Sequence, residues 1–165
     1  MIKFIRIIMI VLITATISNA EENYLNIDAI NFEANEKDKV MYFKGNVVMT
    51  KNDDILKCQS LVINTIISKD DPTKQIPKDY KATGDVSFTL NTKNNILHGR
   101  GDTVLYYPDE QKYIIIGNGY LEDKKDGKKI VAHKIYIDEK TGHTKIDGAK
   151  DKPVKFRLKI NNEAK

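Results

Sequence analysis

Residues 81–90 read KATGDVSFTL, and this stretch decides the fold. Gly84, Val86, Phe88 and Leu90 fall on one face, and Thr83, Asp85, Ser87 and Thr89 on the other. A period of two with one apolar face predicts a strand covered on one side only. A glycine inside such a strand marks a bulge or bend. The same unit stands earlier as YFKGNVVM at residues 42–49 and later as IIIGNGYL at residues 114–121. Each is followed by a polar turn and an apolar pair before a small residue, as in Ile55-Leu56-Lys57-Cys58, Ile96-Leu97-His98-Gly99 and Ile130-Val131-Ala132. Gly45, Gly84 and Gly117 are 39 and 33 residues apart. Bends recurring at one height would curl a sheet at the same place on every pass. The expectation is an all-β, folded-over antiparallel sheet with an internal groove.

Working outward, Met41, Phe43, Val47 and Met49 share one face of the first unit, while Ile114 to Ile116 make both faces of the third apolar, as in a central strand. Val154 to Ile160 alternates again, with Val154, Phe156, Leu158 and Ile160 opposite Lys155, Arg157 and Lys159. Leu25 to Phe32 reads as the first strand. Clusters such as Lys51-Asn52-Asp53-Asp54 and Lys124-Lys125-Asp126-Gly127 separate the runs as turns. Lys69 to Asp79, with Pro72 and Pro77, reads as the one long loop.

The first twenty of the 165 residues differ from the rest. Lys3 and Arg6 form a basic start, Ile7 to Ile17 an apolar core, and Ser18-Asn19-Ala20 a small-residue end. This is the pattern of a secretory signal peptide cleaved after Ala20, and a spanning helix needs about 20 apolar residues. The expected mature chain, residues 21–165, carries 25 basic and 23 acidic side chains, so charge argues little for nucleic acid. The surplus is local, because residues 149–165 hold six basic and two acidic residues. Apolar residues plus glycine, without tyrosine, make up 54 of those 145 positions, a thin supply for a compact core. Cys58, the one cysteine, has no partner for a disulfide and reads as a small buried hydrophobe.

Catalytic chemistry finds no purchase. His98, His133 and His143 are scattered without metal-ligand spacing, Gly99-Arg100-Gly101 lacks the ending of a phosphate loop, and no serine sits in a nucleophile elbow. The expectation is a protein that is not an enzyme and holds no cofactor or metal.

The three Gly-Asn/Asp units with their polar turns and apolar pairs, behind an export signal, resemble the OstA-like family of periplasmic lipopolysaccharide-transport bridge proteins. The resemblance covers roughly residues 25 to 140. Gly119 departs from it, standing where the other two units have Val47 and Val86. It implies a twisted β-jelly roll, or β-taco, with an open hydrophobic groove spanning the mature chain. It also implies a periplasmic carrier that takes lipopolysaccharide from the inner to the outer membrane. The implied partners are lipopolysaccharide, an inner-membrane extraction complex, an outer-membrane translocon, and further copies stacked head to tail. Two alternatives stay open: the inner-membrane-anchored component of the same system, and an exported filament subunit that binds no lipid.

Candidate groove residues come from the apolar strand faces: Met41, Phe43, Val47 and Met49; Ile63; Val86, Phe88 and Leu90; Leu105; Ile114 and Ile116; and Val131, Ile135 and Ile137. The competing reading is that they fill an ordinary core; the low apolar content favours a groove. Leu25, Ile27 and Phe32 at one end, and Val154, Phe156, Leu158 and Ile160 at the other, are the expected assembly edges, where strands can be added. The lysines of the last strand have a second reading as protection against unwanted edge pairing.

Overall fold

A computed structural model describes residues 24–92 and 95–160. The expected signal peptide lies outside the described residues. Ten strands form one antiparallel sheet: β1 (Leu25–Asp28), β2 (Asn31–Asn35), β3 (Val40–Lys51), β4 (Asp54–Ile67), β5 (Gln75–Thr92), β6 (Asn95–Tyr107), β7 (Lys112–Asp123), β8 (Lys128–Asp138), β9 (His143–Asp147) and β10 (Lys155–Arg157). The strands from β3 to β8 pair in chain order as hairpins. β1 and β2 share one edge against β3, and β9 and β10 share the other against β8. Among the described residues the sheet therefore has eight lanes, and its first and last lanes do not join.

The repeated glycines mark one feature. The ladder shifts register between Lys44 and Val47, between Thr83 and Val86, and between Ile116 and Gly119. Each shift is a bulge whose two residues both have positive φ: 83° and 47° at Gly45 and Asn46, 82° and 46° at Gly84 and Asp85, 75° and 47° at Gly117 and Asn118. Glycine and then Asn or Asp are the residues that enter this region at least cost, which is why the sequence repeats that pair. Side chains lie over the glycines: Ile30 over Gly45, Gln59 over Gly84 and Asp102 over Gly117. The Asn118 amide also donates to Asp102, at 3.0 and 3.2 Å.

The bulges lie in one row across the sheet, and the strands fold over along it. Lys51 and Asp54 lie at one end of the strands and Pro108 at the other, yet all line one cavity. A single core fills the crease. Val47, Cys58, Val86 and Ala132 come from one side of it, and Leu61, Val104, Ile115 and Ile135 from the other. The departure at Gly119 has a packing reason, since a Cβ there would stand 3.0 Å from the Ala132 carbonyl oxygen.

Three expectations are corrected. The loop expected over Lys69 to Asp79 runs only from Ser68 to Lys74, because β5 begins at Gln75. Pro77 is tolerated there because the register shifts between Asn64 and Thr65, where a missing N–H matters least. The first strand is interrupted after Asp28, where Ile30 turns onto Gly45 and donates its N–H to the Gly45 carbonyl at 3.0 Å. The last strand is only Lys155–Arg157, so Val154, Leu158 and Ile160 flank it.

Gly84→Val is expected to lower the unfolding free energy by about 1–3 kcal/mol, because a β-branched residue would enter at φ 82° with the Gln59 Cβ 2.7 Å from its own. Gly142→Asn, at a turn with nothing within 4 Å of an added Cβ, should stay within about 0.5 kcal/mol. Urea titration of both variants measures the difference.

Candidate lipid-binding groove

The inward faces of the two sheet halves meet in a packed crease and separate towards the strand ends. The space between them is a cavity of about 200 Å³. Leu25, Met49, Leu56, Phe88 and Leu90 line it from one half, and Tyr80, Ala82, Val104, Tyr106 and Tyr113 from the other. Lys51, Asp54, Ile55 and Pro108 also border it. A dry pocket of about 150 Å³ accepts benzene, so this one admits a short length of hydrocarbon. Phe88 reaches its place because its ring lies over Gly99, where any Cβ would collide with it.

Of the fourteen candidate groove residues, ten face inward. Met49, Phe88 and Leu90 line the cavity itself. Val47, Ile63, Val86 and Ile135 are buried in the crease, and Met41, Phe43 and Ile137 pack on that core while partly exposed. The other four face outward and are corrected. On β6 and β7 the inward residues are Val104 and Ile115, so Leu105, Ile114 and Ile116 point away. Their runs are apolar on both faces, and alternation alone cannot choose between them. Val131 has a different reason. Ala132 and Ile135 are both inward, which puts His133 and Lys134 together on the outside and reverses the phase of β8. Val131 is consequently 42% exposed on the outer face.

Sequence reasoning missed the tyrosines. Tyr80, Tyr106 and Tyr113 share one ladder row, with ring centroids 5.8 and 4.3 Å apart. Aligning the repeats on their glycines would have found two of them, because Met41, Tyr80 and Tyr113 each stand four residues before one. Burial, then the Tyr106 hydroxyl, pushes the Tyr80 hydroxyl up to about 12. The same two causes, in the same order, hold Tyr113 well above the ordinary tyrosine range. Both stay neutral, as an apolar mouth requires.

Other polar groups lie outside this space. Tyr120 carries the Arg100 guanidinium 4.7 Å above its ring and donates to Glu122 at 2.9 Å. Lys124 and Lys129 flank Glu122 at 3.1 and 3.2 Å. Lys124, then Tyr120, hold that carboxyl down to about 2. Burial pushes the Cys58 thiol up to about 11, which fits a packing role rather than a reactive one. The expected edge residues stand at the two sheet edges, Leu25, Ile27 and Phe32 on β1 and β2, and Val154, Phe156, Leu158 and Ile160 on and beside β10. Phe32 and Phe156 are 61% and 56% exposed, although the Phe32 ring lies tilted against Phe43 with centroids 4.9 Å apart.

A family model described as "LptA/(LptD N-terminal domain) LPS transport protein" matches residues 26–143. The chain belongs to this family. Its fold is similar to the crystal structure of LptH, the LptA homologous periplasmic component of the conserved lipopolysaccharide transport device from Pseudomonas aeruginosa. That likeness has a TM-score of 0.69 at 13% identity and covers 84% of this chain and 97% of LptH. No curated protein matches the chain. The family match spans the three bulges and every cavity residue except Leu25, while β10 lies beyond it.

The tyrosine row gives the groove a pH signature. Tyr80 ionises near 10 in the unfolded chain and near 12 in the folded one. The unfolded state therefore loses its proton first, and stability falls as pH rises above about 10. The urea midpoint should drop between pH 9 and pH 11.5, and the drop should be smaller in Tyr80→Phe. An equal drop in both would place the effect elsewhere.

Proposed function

We propose that this protein is a periplasmic carrier of lipopolysaccharide, exported by a signal peptide cleaved after Ala20. It shelters acyl chains between the two halves of its sheet. Copies stack head to tail through their edge strands and bridge an inner-membrane extraction complex to an outer-membrane translocon. The observation that carries the reading is the apolar cavity, which Leu25 borders at the sheet edge and Leu90 and Tyr80 line farther in. Family membership supports the cargo class.

The physical need is simple. Each exposed CH₂ of an acyl chain costs about 0.8 kcal/mol in water. A trough lined by Met, Leu, Phe and Tyr rings removes that cost without demanding one chain length. It is built for transit, since it offers apolar surface and few fixed polar contacts to hold a headgroup.

A photo-crosslinking residue at Leu90 is expected to label with lipopolysaccharide, while the same group at Leu105, on the outer face, should not. Equal labelling, or none at Leu90, would remove the groove as the carrier site. Phe88→Asp should weaken lipid binding at least tenfold, because it buries an unpaired charge where hydrocarbon rests; equilibrium binding of labelled lipopolysaccharide measures it. Mass spectrometry of the exported protein should find a chain beginning at Glu21. A chain that keeps residues 1–20 would make it the membrane-anchored component instead.

A further inference from the structure

We infer that the head-to-tail contact has a defined register, set by two charge pairs between neighbouring copies: Lys155 with Asp28, and Lys145 with Glu33. The inference rests on the stacking proposed above and specifies how the edges meet.

The ladder rows carry the argument. The row that begins at Asp28 passes through Val48, Lys57, Arg100 and Val131 and ends at Lys155. The row that begins at Glu33 passes through Tyr42, Lys81, Ile114 and Tyr136 and ends at Lys145. Both are outward rows with an acid at the first edge and a lysine at the last. The inward rows behave alike. Ile27 shares a row with Phe156, and Phe32 shares one with Ile146. A second copy placed so that every row continues would set apolar against apolar inside and lysine against carboxylate outside.

Strand direction permits this. Eight antiparallel lanes leave the two edges running in opposite directions, so a row-continuing neighbour pairs antiparallel. Both edges are also broken at the crease. Ala29 and Ile30 separate β1 from β2, and residues 148–154 separate β9 from β10. That second break folds back on itself through Ala149 and Lys152, whose N–H groups donate to each other's carbonyls at 2.9 and 3.0 Å. Each short segment thus meets one short segment.

Charge selects this arrangement over others. Residues 24–36 hold Asp28, Glu33 and Glu36 and no Lys or Arg, whereas residues 143–160 hold six basic and two acidic side chains. A symmetric pairing of the first edge with itself would oppose acids, and like charges directly across strands are destabilising. Sliding the edges by two residues one way would place Lys155 opposite Asn26 and Lys145 opposite Asn31, losing both pairs; sliding two the other way would bring Arg157 to Asp28 but set Asp147 against Glu33. Lys145 already lies 3.6 Å from Asp147 on its own strand with its side chain 66% exposed, so it is held loosely and can turn to Glu33.

The test is charge reversal read by sedimentation at low salt. Lys145→Glu with Lys155→Glu should weaken self-association at least tenfold, and so should Asp28→Lys with Glu33→Lys. An equimolar mixture of the two double variants should assemble again, because each presents the edge the other needs. Lys150→Glu with Lys152→Glu changes the same net charge outside the rows and should leave assembly unaltered. If the wild-type chain stays monomeric throughout, stacking itself is wrong and this register falls with it. If the wild type assembles and either row variant assembles equally well, or if the mixture fails to recover, the register is wrong while stacking stands. Circular dichroism and labelled-lipopolysaccharide binding on each variant confirm that the sheet remains folded.

Discussion

The structure depends on a backbone constraint: paired residues with positive φ placed at one height in alternate lanes. A sheet of this width would otherwise twist and stay open. Three bulges, each a glycine followed by Asn or Asp, bend the strands along one line and bring the two inward faces together. The crease core is small, with Val47, Leu61, Ile63, Val86, Ile115 and Ile135 as its largest fully buried side chains. The low apolar content follows from this architecture. Only the inner face near the crease must be dry, and the whole outer face can be charged.

The bulges also set the chemistry of each strand. They reverse the phase of alternation in the intervening lanes, so that Gln59-Ser60, Asp102-Thr103 and His133-Lys134 face out as pairs. Apolar positions on either side of the crease are therefore out of step in sequence while sharing one face in space. The same distortion places polar side chains over the glycines of the next lane, where Gln59 and Asp102 protect backbone that a larger residue could not cover.

This explains what was legible. Val86, Phe88 and Leu90 could be read because β5 alternates cleanly beyond its bulge, and the glycine repeat disclosed the fold. Ile114 and Ile116 read as groove residues yet face outward, because three isoleucines in a row carry no phase. Val131 was misplaced because its phase was carried across His133-Lys134, where the strand reverses. The strand boundaries near Pro77 and Ile30 depended on partners distant in sequence, Thr65 and Gly45. The aromatic mouth escaped notice because Tyr80, Tyr106 and Tyr113 meet only when lanes pair. The space between the halves could not be sized at all, since volume depends on how sharply the crease closes.

That the two halves of the sheet are joined only along the crease has a mechanical meaning. In a closed barrel, widening the lumen would tear a line of backbone hydrogen bonds. Here, among the described residues, no strand pairing runs between the two facing halves, so they can spread by a small rotation about the crease while every existing strand pair stays intact. For the carrier proposed above, that mouth opposite the crease is where a bulky amphiphile would enter from the side, with its polar end left in water.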